Sequence, residues 1–157
     1  MPDTWILVAD HARARLFSLE HRAGRMGELE SFANVEARTP GHERERAPPP
    51  RTHDRLGEGR HVIEPHTTAR DKSAAQFAGT LESVLARGLD EQRYVDLVLI
   101  APPRFLGILN ASLRPRVREA VALKIAKNLV RRSVSTIRVQ IPRRLALRGP
   151  LPQRAPA

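Results

Sequence analysis

Residues 94–109 read "YVDLVLIAPPRFLGIL". Val95, Leu97, Val98, Leu99 and Ile100 form a nearly continuous apolar run, the pattern of a central strand covered on both faces rather than of one exposed to water. Pro102 and Pro103 then end the strand. They suit the first turn of a helix through "RFLGILNASL" (104–113), where backbone N–H groups have no intrahelical acceptor to lose. A buried strand running directly into a helix points to an α/β fold.

Upstream, Phe77, Leu81, Val84, Leu85 and Leu89 recur at helical spacing on one face, with Asp71 or Ser73 as the cap and Gly88 marking the end. Further upstream the period changes to two. Residues 4–10 suit a buried strand, residues 14–20 alternate after a short polar turn, and residues 28–36 alternate again, which predicts an antiparallel start to the sheet. Downstream, residues 120–126 alternate Val121, Leu123 and Ile125 with Ala122, Lys124 and Ala126. That pattern fits a strand, although Ala, Leu and Lys also favour helix. "SVSTIRVQI" (133–141) reads as a final short helix. The folded domain is expected to span residues 1–141, with residues 142–157 a basic, Pro-rich, disordered tail.

At 157 residues and 17.6 kDa the chain is one domain's worth, and its 41% apolar and 28% charged content is that of a globular protein. It has no cysteine, which excludes disulfides, thiolate metal sites and cysteine nucleophiles. The N-terminal apolar run, Trp5 to Ala9, is too short for a membrane span or a signal peptide, so a cytoplasmic protein without membrane contact is expected. The formal charge of +10 invites a polyanion such as RNA. Lysine occurs only at 72, 124 and 127, and the basic residues are spread along the chain rather than gathered in one block.

Residues 37–69 break every period: Pro40, "HERER", then Pro48 to Pro50, then "LGEGRHVIEPHT" (56–67). A stretch this long without periodicity is expected to be a mobile loop with a function, or an insertion. Gly57 and Gly59 lack the third glycine of a dinucleotide fingerprint, and no Gly-Lys-Ser/Thr is present. Two readings remain: the glycines merely turn the chain, or their N–H groups join Arg60 and His61 to clasp an anion. His61 is also suited to proton transfer near neutrality. His42, His53, His61 and His66 share the loop, but metal ligands normally sit on rigid elements, so no metal or cofactor is expected. Arg104 follows the carboxyl end of the central strand, where α/β folds gather ligands; it either meets an anion there or pairs with a carboxylate.

"TWILVADHARARLF" (4–17), "GEGRHVIEP" (57–65), "FAGTLESVLARG" (77–88) and "LVLIAPPRFLGIL" (97–109), in this order, resemble the bacterial host attachment protein family. That family is similar to the middle domain of archaeal and eukaryotic class I release factors. The resemblance implies a single α/β domain of ribonuclease-H-like kind, with a five-stranded mixed sheet flanked by helices, and makes residues 120–126 a strand. It also implies a ribosome or tRNA partner, with Gly57, Gly59 and Arg60 touching RNA phosphate; Arg104, from its place after the central strand, is the further phosphate-binding candidate. Arg60 and His61 would be the catalytic candidates for a role like ribosome rescue or peptidyl-tRNA hydrolysis. The Gly-Gly-Gln of release factors is absent. The alternative is a non-enzymatic RNA- or protein-binding regulator that influences attachment indirectly.

Overall fold

The computed structural model describes residues 3–38 and 64–147. Five strands, β1 (Asp3–Ala9), β2 (Arg13–Leu19), β3 (Met26–Ala33), β4 (Tyr94–Ala101) and β5 (Val121–Ala126), form one mixed sheet in the order β3-β2-β1-β4-β5. β1 pairs antiparallel with β2 and β2 with β3, whereas β1–β4 and β4–β5 are parallel. The helices are α1 (Glu64–Asp90), α2 (Pro103–Ser112), α3 (Pro115–Ala120), α4 (Val134–Val139) and α5 (Arg143–Leu147), with a 3-10 turn at Glu36–Arg38. The expected single-domain α/β architecture, with a five-stranded mixed sheet flanked by helices, is the observed one. No helix among the described residues is long and apolar enough to cross a membrane.

The sheet carries two cores because β1 and β4 bury both of their faces. Trp5, Leu7, Ala9, Leu16, Leu97 and Leu99 pack under α1, α2 and α3. Ile6, Val8, Phe17, Leu19, Val98 and Ile100 pack under α4 and α5 through Leu129, Val130, Ile137, Ile141 and Leu145. Leu145 is 4% exposed, and the Thr4 hydroxyl donates to its carbonyl. Residues 143–147, expected to belong to the disordered tail, are therefore a helix of the second cover: a single well-spaced leucine outweighs the basic composition around it.

Other boundaries differ for identifiable reasons. β3 starts at Met26 and stops at Ala33, instead of spanning 28–36. A bulge opposite Leu16 and Phe17 skips Leu29, which is 44% exposed, so the alternation read from the sequence slips out of phase. α1 begins at Glu64, with Pro65 in its first turn, so Asp71 and Ser73 lie inside the helix and do not cap it. Gly88 does not end α1 either. The helix runs to Asp90, and Gln92, at φ 57°, turns the chain into β4.

Gly88 has a different role. It is buried against Trp5, where an added Cβ would overlap the Cη2 and Cζ3 of the indole. On its other sides the indole stacks on Tyr94, with centroids 4.6 Å apart, and meets the Arg93 guanidinium at 5.1 Å. The Tyr94 hydroxyl donates to the Leu85 carbonyl at 2.7 Å; burial, helped by the Glu82 and Asp90 carboxylates, pushes its pKa up. Replacing a helical glycine with alanine ordinarily gains about 1 kcal/mol. Gly88→Ala should instead cost about 1–3 kcal/mol by overpacking. Gly79→Ala, with nothing within 4 Å of its Cβ, should stabilise by up to about 1 kcal/mol. Denaturant unfolding followed by fluorescence of the single tryptophan compares the two; equal shifts would refute the close packing at Gly88.

Candidate functional site

The three parallel strands β1, β4 and β5 end on the same edge of the sheet, and the first turn there is built by Asp10. Its Oδ1 accepts the N–H groups of Ala12 at 2.8 Å and Arg13 at 2.7 Å, which folds β1 back into β2. Asn34, directly after β3, is 8% exposed. Its Nδ2 donates to the His11 carbonyl at 2.9 Å and to the Ser73 Oγ at 3.1 Å. One side-chain amide thus ties the β1–β2 turn, the exit of β3 and the interior of α1. Segment 39–63 connects the chain between the last two of these. Gly57, Gly59, Arg60 and His61 fall in that segment and lie outside the described residues.

Arg104 lies in the first turn of α2, at this same edge. Its Nη2 meets the Asp71 Oδ1 of α1 at 2.6 Å, beside an open hollow of about 400 Å³ lined by Asp71, Ala75, Arg104, Ile108, Ala111 and Ser112. Of the two sequence readings, the carboxylate pair is the geometry present. The Arg104 side chain remains 69% exposed, so an anion approaching it competes with Asp71. Glu82, whose side chain is 6% exposed, similarly receives Arg114 at 3.2 Å, and Asp90 receives Arg116 at 2.9 Å. On the α1–α3 side, three arginines are thus matched by carboxylates.

The other cover is different. Residues 1–119 hold 18 Lys and Arg against 17 Asp and Glu, a net +1, while residues 120–157 hold nine Lys and Arg and no carboxylate. Basic residues are spread along the chain, as read above, but net charge is not, because the acids stop at Glu119. The fold lays Lys127, Arg131, Arg132, Arg138, Arg143 and Arg144 over the second face of the sheet, on the segment that carries α4 and α5.

Arg15, on β2, fixes the start of this layer. Its Nε and Nη2 donate to both Glu28 oxygens, at 3.1 and 3.0 Å. Its Nη1 donates to the carbonyls of Val130 at 3.3 Å and Arg132 at 2.8 Å. The guanidinium also lies 4.9 Å over the Phe17 ring. Sequence reasoning passed over Arg13, Arg15, Asn34 and Arg131; the absence of acids after Glu119 was the signal that would have found the basic layer.

A family model described as "Protein required for attachment to host cells" matches residues 5–141. The chain belongs to this family. An uncharacterized protein of Rickettsia prowazekii (strain Madrid E) is 30% identical over 80 residues, covering 48% of this chain and 52% of that relative. The match thus spans about half of the relative's length. Among solved structures, one described as an archaeal protein is 12% identical with a TM-score of 0.47, covering 90% of this chain and 36% of its own. The crystal structure of an archaeal translation termination factor is 11% identical with a TM-score of 0.46, covering 87% and 36%. α5, at Arg143–Leu147, lies just beyond the residues matched to the host-attachment family.

Two outcomes follow from the site's geometry. Asn34→Ala removes the donor that Ser73 and His11 share, and should cost about 1–3 kcal/mol, with faster hydrogen exchange in the part of α1 before Ser73. A variant as protected there as the parent would show that the amide does not tie the helix. The hydrogen bond from Arg15 holds the Glu28 carboxyl below its usual value of 4.5, with burial opposing and the arginine's charge adding. A carboxylate with a lowered folded pKa contributes stability that is present above 4.5 and lost as pH falls through the folded value. Glu28→Gln should therefore flatten the acid side of a melting-temperature profile while changing its slope little above neutrality. The pair is partly exposed, so the effect should be modest.

Proposed function

We propose that this member of the host-attachment family is an RNA-binding factor that works on the ribosome or on tRNA. The observation that carries this reading is the charge of the second cover, a folded layer of arginines and one lysine on a segment without a single carboxylate. Such a layer attracts polyphosphate because each neutralised phosphate releases condensed counterions. Arginine adds a planar fork that matches two phosphate oxygens at once. The choice of ribosome or tRNA among RNAs follows the release-factor resemblance of the sequence. In this reading the 57–61 stretch brings Gly57, Gly59, Arg60 and His61 to tRNA phosphates or to the ester bond, and the influence on attachment to host cells is indirect, through translation.

Sedimentation with ribosomes at moderate salt tests the reading. The chain should appear in the ribosomal fraction and leave it as salt rises. Replacing Arg132, Arg143 and Arg144 with alanine should lower the steepness of the salt dependence by about 2, at roughly 0.7 per phosphate contact on single strands. Absence from the ribosomal fraction at low salt would overturn the proposal. Peptide release from stalled peptidyl-tRNA that is lost in Arg60→Ala/His61→Ala would make the factor a hydrolase. Binding without release would make it a non-enzymatic regulator.

A further inference from the structure

We infer that the groove walled by Arg13, Arg15 and Arg131 is a phosphodiester subsite of this RNA surface, an assignment that rests on the RNA-binding reading above. The groove is open, holds about 600 Å³, and lies where the α4–α5 layer leaves one corner of the β2–β3 sheet uncovered. β2 and β3 pair Arg13 with Ala33 and Arg15 with Ser31, so on this face a floor of small side chains lies beside two arginines. Val130 and Arg131 close the far wall, held there by the bonds from Arg15 to the Val130 and Arg132 carbonyls. The volume falls within the range of small-ligand sites, room for one nucleotide unit.

The three guanidinium groups differ in what they are free to do. Arg15 spends its donors on Glu28 and on two backbone carbonyls, and that pair is close to neutral. Arg13 and Arg131 are exposed and make no ion pair among the described residues. Arg15 therefore sets the position of the wall, and Arg13 and Arg131 carry two uncompensated charges facing one groove. Glu28, although a carboxylate, adds no net repulsion while Arg15 holds both its oxygens. A phosphodiester bridging the two free arginines would run along the corner of the sheet where β1 turns into β2 and β3 leads toward segment 39–63.

The test uses fluorescence anisotropy of the full chain with a labelled single-stranded oligoribonucleotide across a salt series. Arg13→Ala/Arg131→Ala should lose affinity roughly tenfold or more and lower the salt slope by about 1.4, the share of two single-strand phosphate contacts. Arg22→Ala/Arg25→Ala, in the β2–β3 turn at the other end of the sheet, makes the same change in net charge and should cost less than about threefold. Arg13→Lys/Arg131→Lys should keep the parent slope while losing part of the affinity, since lysine retains the charge without the fork. Tryptophan fluorescence melts confirm that each variant is folded, and the lysine pair carries the test if the alanine pair is not. Equal losses in the two alanine pairs, or unchanged binding in Arg13→Ala/Arg131→Ala, would overturn the groove and leave the RNA-binding reading standing. No binding by the unmodified chain would overturn both.

Discussion

β1 and β4 lie side by side and parallel at the centre of the sheet, and from Trp5 to Ala9 and from Leu97 to Ala101 no residue is more than 2% exposed. A strand pair buried on both faces needs two covers, since each large apolar side chain left in water would forgo roughly 1.5–3 kcal/mol. α1, α2 and α3 form the first cover, from the charge-balanced part of the chain. Among the described residues the second is formed by those after β5, and the chain from there on contains no acid. The basic surface is therefore a structural consequence of how the central strands are buried, not a tail added to a finished domain. Its self-repulsion is carried by the apolar contacts of Ile137, Ile141 and Leu145 beneath it.

The first cover is set against the sheet at two points along α1. Near the helix's end Gly88 admits the Trp5 indole, which Tyr94 stacks from β4. Fifteen residues earlier, about 22 Å along the axis, Ser73 receives the Asn34 amide. One contact is apolar and depends on the absence of a methyl group; the other is polar, buried, and would leave donors and acceptors unmet if broken. Together they fix where α1 lies over the sheet and at which edge the chain enters it from segment 39–63.

Much of this architecture was legible because its signals are local. The apolar run of β4, the prolines before α2 and the stripe of α1 each record burial within a few residues. The features that escaped sequence reading depend on partners far along the chain. Gly88 resembles a helix terminator until Trp5 is placed against it. Asn34 falls inside the alternating stretch read as a strand until His11 and Ser73 are brought to it. The bulge that exposes Leu29 exists only in the pairing of β2 with β3. Residues 143–147 have the composition of a tail, and only Thr4 and the second core make them a helix. The site candidates divide the same way. Arg104 was recognisable from its place after a strand, whereas its partner Asp71 is 33 residues away.

Arginine counts misdirect for a related physical reason: the same side chain does different work according to what faces it. Arg104, Arg114 and Arg116 each meet a carboxylate on the first cover, so their charge is largely cancelled before any ligand arrives. Arg15 is cancelled too, yet its donors reach two carbonyls of the segment that follows β5 and hold it on the sheet. Arg13 and Arg131, on the two elements that Arg15 joins, keep their charge. A surface of this kind recognises an anion less by how many cations it has than by which have been left unpaired and held still. In this chain the loss of acids after Glu119 leaves the cations of the second cover without carboxylates, and the bonds from Arg15 set one of them, Arg131, at the same groove as Arg13 of β2.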